Sequence, residues 1–142
     1  MGPERRRELQ LFQRHAAIKF RELERLEQAF THRSWANESE TSLGNNERLE
    51  FLGDSVLGLV VAEYLHEELT DQPEGELARI KSFVVSEASL SEISRQLRVD
   101  NFILIGRGEE YSGGRSKKTI LADTLEAIIG AYYLDSGFPA AK

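Results

Sequence analysis

Two stretches of this sequence decide its fold: FLGDSVLGLVVA, residues 51–62, and TILADTLEAIIGAYYL, residues 119–134. Each is apolar on nearly all sides when it is written as a helix, a pattern typical of helices in the middle of a protein. Asp54 is the only charged residue of the first stretch, and Asp123 and Glu126 are the only charged residues of the second. Because an isolated carboxylate in an apolar interior is costly, these side chains must be protonated, paired or bound to a cation.

The spacing of the acidic residues places them on shared helix faces. At about 100° of rotation per residue, Glu47, Glu50 and Asp54 lie within about 60° of one another. Asp123 and Glu126 are three residues apart and also share a face. If the two helices pack together, four or five carboxylates meet, and they raise one another's pKa values or bind divalent cations. An all-oxygen ligand set favours Mg²⁺ or Mn²⁺. The alternative, that each acid pairs with an Arg or Lys from elsewhere, stays open.

The rest of the chain predicts further helices and therefore an all-α domain with two central buried helices that carry the carboxylates. Two early amphipathic helices are expected around residues 9–12 and 23–30, followed by a loop at 36–46. Later helices are expected at 47–69, 76–85, 86–97 and 117–134. Asn45 or Asn46 is placed to cap the first of these later helices.

Two segments between the helices differ in character. Residues 101–105, NFILI, are the only strand-like run, and we interpret them as an extended connector because a lone strand has nothing to pair with. Residues 106–116 contain four glycines and predict a mobile loop. Gly53 and Gly58 lie inside the first apolar stretch, where each glycine costs a helix about 1 kcal/mol. They predict close approach of a neighbouring helix.

Composition limits the class of protein. The 142 residues fit one domain with a core, and no apolar run approaches the ~20 residues of a membrane helix. The absence of cysteine excludes disulfides and zinc–cysteine sites and favours the cytoplasm. The net charge of −6 argues superficially against a nucleic-acid partner. However, residues 34–78 hold eleven acidic groups and one basic group, and both flanking segments are mildly basic. Total charge therefore does not decide the partner.

A di-iron helical bundle is the other helical architecture rich in carboxylates, and it needs a Glu-x-x-His pair on two helices. Glu63 and His66 match this pattern once. They point roughly 140° away from the Glu50 group at the helical rotation per residue, and His15 and His32 lack the partner glutamate. The sequence disfavours this architecture.

At this point the sequence resembles a known family. NERLEFLGDS, residues 46–55, is similar to the signature of the ribonuclease III family. Three further stretches resemble the family in the same order: AFTHRS at 29–34, the Gly/Glu-rich stretch at 106–116, and ILADTLEA at 120–127. The resemblance covers nearly the whole chain and implies that residues 1–142 form a catalytic, endonuclease domain.

The resemblance also implies roles for single residues. Glu50, Asp123 and Glu126 match the family's metal-binding carboxylates, and Asp54 and Glu126 match the two positions usually called catalytic. Glu47 matches an acid of the signature that supports the site. Phe51 matches an aromatic side chain that family dimers insert into the partner subunit, whereas the sequence alone would place it in the core.

The activity implied is hydrolysis of double-stranded RNA by a homodimer with Mg²⁺, for which Mn²⁺ substitutes, in RNA processing that includes ribosomal RNA. The products would carry 5′-phosphate and 3′-hydroxyl ends with short 3′ overhangs. We expect no membrane partner and no small-molecule substrate. Arg115, Lys117 and Lys118 are candidates for phosphate contacts, and an exposed basic loop without RNA contacts is an equally good interpretation of them.

Bacterial-type members of the family carry a double-stranded-RNA-binding domain after the nuclease domain. This sequence stops at 137–142, where another helix would begin, so we expect a truncated form, with a compact subtype as the alternative. Without that domain, RNA binding should be weak and strongly sensitive to salt. Two other functions stay open: a catalytically inactive relative that serves as an RNA-binding or assembly module, and a structural helical dimer with incidental metal binding.

Overall fold

The computed structural model describes residues 1–38 and 44–137. Within these ranges the chain forms eight α-helices and two short 3₁₀ turns, which confirms the predicted all-α class. The helices are α1 (Pro3–Ala16), α2 (Leu23–Ala29), α3 (Arg33–Glu38), α4 (Glu47–Glu68), α5 (Glu74–Val84), α6 (Glu87–Gln96), α7 (Arg107–Tyr111) and α8 (Lys118–Ser136); the turns are Val99–Asn101 and Gly114–Ser116.

The long helices begin and end close to their predicted bounds. Helices α4, α5, α6 and α8 each lie within two residues of the prediction. Helix α6 is capped by Ser86, whose side-chain oxygen accepts a hydrogen bond from the Ser89 amide at 3.2 Å. At the start of α4 the side chain of Asn45 accepts from the Glu47 amide at 2.9 Å. The amide nitrogen of the Asn46 side chain instead donates to the Ala29 carbonyl at 2.9 Å.

The predicted loop at 36–46 is only partly correct, because residues up to Glu38 belong to α3. Residues 39–43 of that loop, and the end of the chain at 138–142, lie outside the described residues. A second prediction, for residues 106–116, is wrong. The predicted mobile loop at 106–116 contains helix α7 and a 3₁₀ turn.

Arg115 explains why residues 106–116 are ordered. Its guanidinium donates to the backbone carbonyls of Asp100 at 2.7 Å and Ile103 at 2.8 Å. A further nitrogen donates to the Glu110 carboxylate at 3.1 Å. These bonds join α7 and the 3₁₀ turn to the connector before them, and a count of glycines does not reveal such contacts.

The connector at 101–105 is extended only in part, because Asn101 ends a 3₁₀ turn and Phe102 has helical backbone angles. Its later residues make one short pairing. A parallel bridge joins Leu104 to Thr31. The Leu104 amide donates to the Phe30 carbonyl at 2.8 Å, and the His32 amide donates to the Leu104 carbonyl at 3.0 Å. This bridge fixes the backbone that leads into α3.

Helix α8 is the central element, and α4 packs along it. Ten residues of α8 are buried, between Ile120 and Ala131. Around it lies an apolar core in which the rings of Phe12 and Phe30 meet edge to face at 5.0 Å. Helix α4 buries one face against α8 and leaves Phe51 79% exposed and Leu59 55% exposed in the single chain.

The backbones of α4 and α8 touch where they cross. A methyl group added at Gly53 would overlap the carbonyl oxygen of Glu126, and one added at Gly130 would overlap the carbonyl oxygen of Leu49. Close approach is therefore confirmed at Gly53. At Gly58 the prediction of a neighbouring helix backbone is wrong, because the nearest atoms belong to the flexible side chain of Lys81, at 3.6 Å.

The two glycines of α4 should respond oppositely to alanine. Gly53→Ala should lower the free energy of unfolding by more than about 2 kcal/mol, because the helices must separate to admit a methyl group. Gly58→Ala should raise it by about 0.5–1 kcal/mol, because alanine is the better helix former and its methyl group would make only ordinary van der Waals contact with the Lys81 side chain. Urea denaturation followed by circular dichroism measures both. Equal effects at the two positions would contradict the proposed crossing.

Candidate metal centre

Three carboxylates from the two central helices meet at one place. Glu50 comes from α4, and Asp123 and Glu126 come from α8. Each offers an oxygen that lies within 4.8 Å of the other two. Because Glu50 precedes Gly53 by about one turn and Glu126 contributes the carbonyl that touches Gly53, the backbone crossing sets the spacing of this cluster.

The cluster lines an open cavity of about 520 Å³. Asp54 and Glu47 also line it, so the five acids grouped by sequence spacing share one cavity. The lining residues are His32, Arg33, Asn46, Glu47, Glu50, Phe51, Asp54, Ile120, Asp123, Thr124 and Glu126.

Burial and crowding raise the pKa values of the clustered acids. Burial, together with a hydrogen bond to Asp54 and the charges around it, raises the pKa of Glu126 to about 8. Burial and the neighbouring Asp123 raise the pKa of Glu50 to about 7. Burial also raises the pKa of Asp123. Two carboxyl pairs therefore span α4 and α8, Glu50 with Asp123 and Asp54 with Glu126, and each is joined by a hydrogen bond.

Among the described residues, no Lys or Arg side chain balances the charge of this cluster. Within residues 1–38 and 44–137, no Lys or Arg forms an ion pair with Glu50, Asp54, Asp123 or Glu126. The alternative of separate pairing with distant cations is thereby excluded for the described part of the chain. Hard carboxylate oxygens that lack positive charge suit a divalent cation such as Mg²⁺ or Mn²⁺.

The remaining predicted site residues lie around the cavity or away from it. Glu47 lies on the rim, where its carboxylate is 3.8 Å from the Arg33 guanidinium. Arg115, Lys117 and Lys118 do not line the cavity. Arg115 holds the connector, and Lys117 donates to Glu109 at 2.8 Å, a bond that lowers the pKa of that carboxyl. Lys118 is exposed at the first position of α8.

Sequence reasoning missed His32 as a residue of the cavity. It lies in the stretch 29–34, which was used above only for its resemblance. A single histidine outside a ligand pattern carries no signal of its own. Burial lowers the pKa of His32, opposed by the carboxylate of Glu109 and assisted by the Arg33 charge.

A helical domain whose two central helices bring carboxylates without paired Lys or Arg to an open cavity offers a candidate site for a divalent cation. Comparison with known proteins identifies the family. A family model described as Ribonuclease-III-like matches residues 22–142. Ribonuclease 3 of Treponema denticola is 59% identical over 142 residues, which cover 100% of this chain and 58% of that relative. Ribonuclease 3 of Streptomyces coelicolor is 57% identical over 117 residues, which cover 82% of this chain and 42% of that relative.

A solved structure agrees with these relatives. The nuclease domain of ribonuclease III from Campylobacter jejuni, described for structural flexibility in its region of dimer formation, superposes with a TM-score of 0.85 at 42% identity. The match covers 92% of this chain and 87% of that one. The chain therefore belongs to the ribonuclease III family. It spans only part of the length of the curated relatives, 58% of the one from T. denticola and 42% of the one from S. coelicolor. None of the helices in the described residues is both long enough and apolar enough to span a membrane.

The metal-free protein should lose stability as pH rises. Glu50 and Glu126 titrate near 4.5 when unfolded and at about 7 and about 8 when folded. Between these values the folded state binds more protons than the unfolded state, so the free energy of unfolding falls with rising pH. His32, whose pKa is lowered, acts in the opposite direction only below about its ordinary value of 6.5.

The measurement is therefore urea denaturation in EDTA from about pH 6.5 to 8.5, above the ordinary histidine range. The double variant Glu50→Gln with Glu126→Gln should abolish most of the decline and be more stable at the alkaline end. Glu68→Gln, at an exposed position of the same helix, serves as the control and should leave the decline in place. A decline that persists in the double variant would rule out the cluster as its source.

Proposed function

We propose that this chain is the catalytic domain of a Mg²⁺-dependent endoribonuclease that cuts both strands of double-stranded RNA as a homodimer. The observation that carries the proposal is the carboxylate cluster of Glu50, Asp123 and Glu126, which faces an open cavity without a balancing cation. Membership of the ribonuclease III family supports the same activity.

Glu50, Asp123 and Glu126 would hold the cation, and Mn²⁺ would substitute for Mg²⁺ because both prefer oxygen ligands. When bound, the cation lowers the pKa of a water molecule and stabilises the leaving oxygen of the phosphodiester. Asp54 orients the Glu126 carboxyl through their shared hydrogen bond, and Glu47 with Arg33 forms the rim. Water would attack the phosphorus while the bond from phosphorus to the 3′ oxygen breaks. The 3′ oxygen would leave and take up a proton, so the proposed products carry 5′-phosphate and 3′-hydroxyl ends, as the family resemblance implies.

The dimer is proposed from an exposed aromatic side chain beside an apolar groove. Phe51 is 79% exposed, and next to it lies a cavity of about 710 Å³ lined by Leu49, Leu52 and Leu134 among others. In a two-fold dimer the same patch faces itself, so each Phe51 can enter the groove of the partner. Because Phe51 follows Glu50 directly, this arrangement places the two carboxylate sites close to the interface, one for each strand.

Double-stranded RNA fits this arrangement because its A-form is recognised by shape, phosphates and 2′-hydroxyls rather than by base sequence. Lys118 is exposed beside the N-terminal end of α8 and is the best placed of the three basic candidates to contact phosphate. Arg115 and Lys117 have intramolecular partners and would have to exchange or share them. Precursor RNAs, ribosomal RNA among them, are the proposed substrates, and the cytoplasm is the proposed compartment.

An inactive relative that binds RNA is the second candidate function. The four acids at the cavity oppose it, because a binding module gains nothing from carboxylates that repel phosphate. The carboxyl pairs between α4 and α8 are intact, as an active site requires.

Cleavage of labelled double-stranded RNA tests the activity directly. The wild-type chain with Mg²⁺ should convert the duplex to fragments with 5′-phosphate ends, and EDTA should stop the reaction. Glu126→Gln should reduce the single-turnover rate by at least about 10³-fold, because the loss of one ligand charge affects both cation binding and transition-state stabilisation. Glu68→Gln should cleave like the wild type. A duplex that survives wild-type enzyme over a range of salt and protein concentrations would end the nuclease proposal.

Dimer formation has a separate test in Phe51→Ala. Loss of this side chain should raise the dimer dissociation constant by about 30-fold or more, as expected for a buried aromatic anchor. Light scattering over a dilution series gives the constant. Tyr111→Ala is the matched control, because Tyr111 is 93% exposed and does not line the apolar groove. Equal behaviour of the two variants would count against Phe51 as the anchor.

A further inference from the structure

We propose that His32 contacts the RNA substrate: its neutral imidazole donates the Nε2–H to a non-bridging phosphate oxygen at the carboxylate cluster. This inference rests on the proposed function and deepens it. It assigns a substrate-binding role to a residue that neither the acidic motifs nor the cation chemistry identifies.

The backbone holds His32 in a fixed position at the cavity. Its amide donates to the Leu104 carbonyl at 3.0 Å, and its own carbonyl accepts from the Trp35 and Ala36 amides at 3.0 and 3.2 Å. The side chain therefore leaves from the junction of the Thr31–Leu104 bridge with α3. Its imidazole lines the same cavity as Glu50 and Asp123.

Hydrogen bonds at one edge of the ring define which nitrogen carries the proton. The Ser34 amide, which can only donate, lies 3.1 Å from His32 Nδ1. The Ser34 hydroxyl lies 2.7 Å from the same nitrogen and itself accepts from the Gly106 amide at 2.8 Å. Nδ1 is therefore an acceptor, and in the neutral ring the proton must be on Nε2. Ser34 and Gly106 together select a tautomer that presents a donor.

The Nε2–H is not used within the described residues. None of residues 1–38 and 44–137 accepts a hydrogen bond from it. The carboxylates of Asp123, Glu109 and Glu47 are close enough to influence the ring electrostatically. With Nδ1 directed to Ser34 and the ring lining the cavity, the Nε2 edge is the one available to a ligand there.

The other side-chain donors that line the cavity are buried or loosely placed. Asn46 is buried and one N–H of its amide group donates to the Ala29 carbonyl at 2.9 Å, and the buried Thr124 hydroxyl donates to the Ile120 carbonyl at 2.7 Å. The Arg33 side chain is 67% exposed and lies 3.8 Å from Glu47. His32 is thus the ordered donor that a phosphate would meet among the carboxylates. Because the ring is neutral, it can bind an anionic oxygen without competing with a cation for the acids.

Two substitutions test the Nε2–H donor of His32 and its Nδ1 acceptor one at a time. In His32→Asn, the side-chain oxygen can take the place of Nδ1 and accept from Ser34, but the amide group is too short to reach the Nε2 position. In His32→Gln, the longer amide brings an N–H near the Nε2 position and gives up the acceptor at Nδ1. The first variant keeps the network and loses the donor, and the second does the reverse.

The single-turnover rate of RNA cleavage should fall by about 10²-fold in His32→Asn, the usual effect of removing one donor to a reacting phosphate, and by less in His32→Gln. In His32→Asn the melting temperature and its rise with Mg²⁺ should both match the wild type, because folding and the carboxylates are untouched. A His32→Asn variant with the wild-type rate, or a His32→Gln variant slower than His32→Asn, would overturn the inference in favour of a structural role.

Nitrogen-15 NMR of histidine-labelled protein gives an independent readout. The spectrum of His32 should show a protonated Nε2 and an unprotonated Nδ1, and a short RNA duplex should shift the Nε2 resonance. A proton on Nδ1, or no shift with RNA while the wild type cleaves, would overturn the role of His32 and leave the nuclease proposal intact. A wild type that cleaves nothing overturns the nuclease proposal itself, which keeps the two failures distinct.

Discussion

The contact between the backbones of α4 and α8 is the constraint on which the rest of this domain depends. Gly53 and Gly130 leave no room for a side chain at the crossing, so main-chain atoms of the two helices meet directly. This contact fixes the positions of the nearby acidic residues. Glu50 lies about one turn before Gly53, Asp54 follows Gly53 directly, and Glu126 supplies the carbonyl at the contact. The spacing of the acids therefore follows from the backbone more than from adaptable rotamers.

The same contact crowds negative charges, and no Lys or Arg in the described part of the chain pairs with them. Acids from both helices are brought together beside a largely apolar α8, and like charges at short range destabilise the ionised forms. The raised pKa values of Glu50 and Glu126 reduce this repulsion, because a protonated carboxyl group carries no charge. The carboxylate cluster therefore lowers the free energy of unfolding of the domain, as expected for a binding site that is formed before its ligand arrives.

The sequence predicts the acidic cluster well and its surroundings less well, for a physical reason. Helical periodicity is a local property, so the shared faces of Glu50 with Asp54 and of Asp123 with Glu126 follow from spacing alone. The ordering of residues 106–116 depends on Arg115 reaching carbonyls more than ten residues earlier. The position of His32 depends on the Leu104 carbonyl, which accepts a hydrogen bond from its amide and is distant in sequence. A local pattern carries no information on such contacts. Gly53 and Gly58 lie on different faces of the same helix, and only Gly53 meets the backbone of a neighbouring helix.

The shared protons of the carboxyl pairs have a consequence for how the cleft exchanges with solvent. Glu50 and Glu126, whose pKa values are raised to about 7 and about 8, belong to the group of residues that could hold a divalent ion, and an ion would bind their ionised form. Binding of the ion therefore releases protons to the solvent, and a weakly buffered solution should become more acidic as the ion binds.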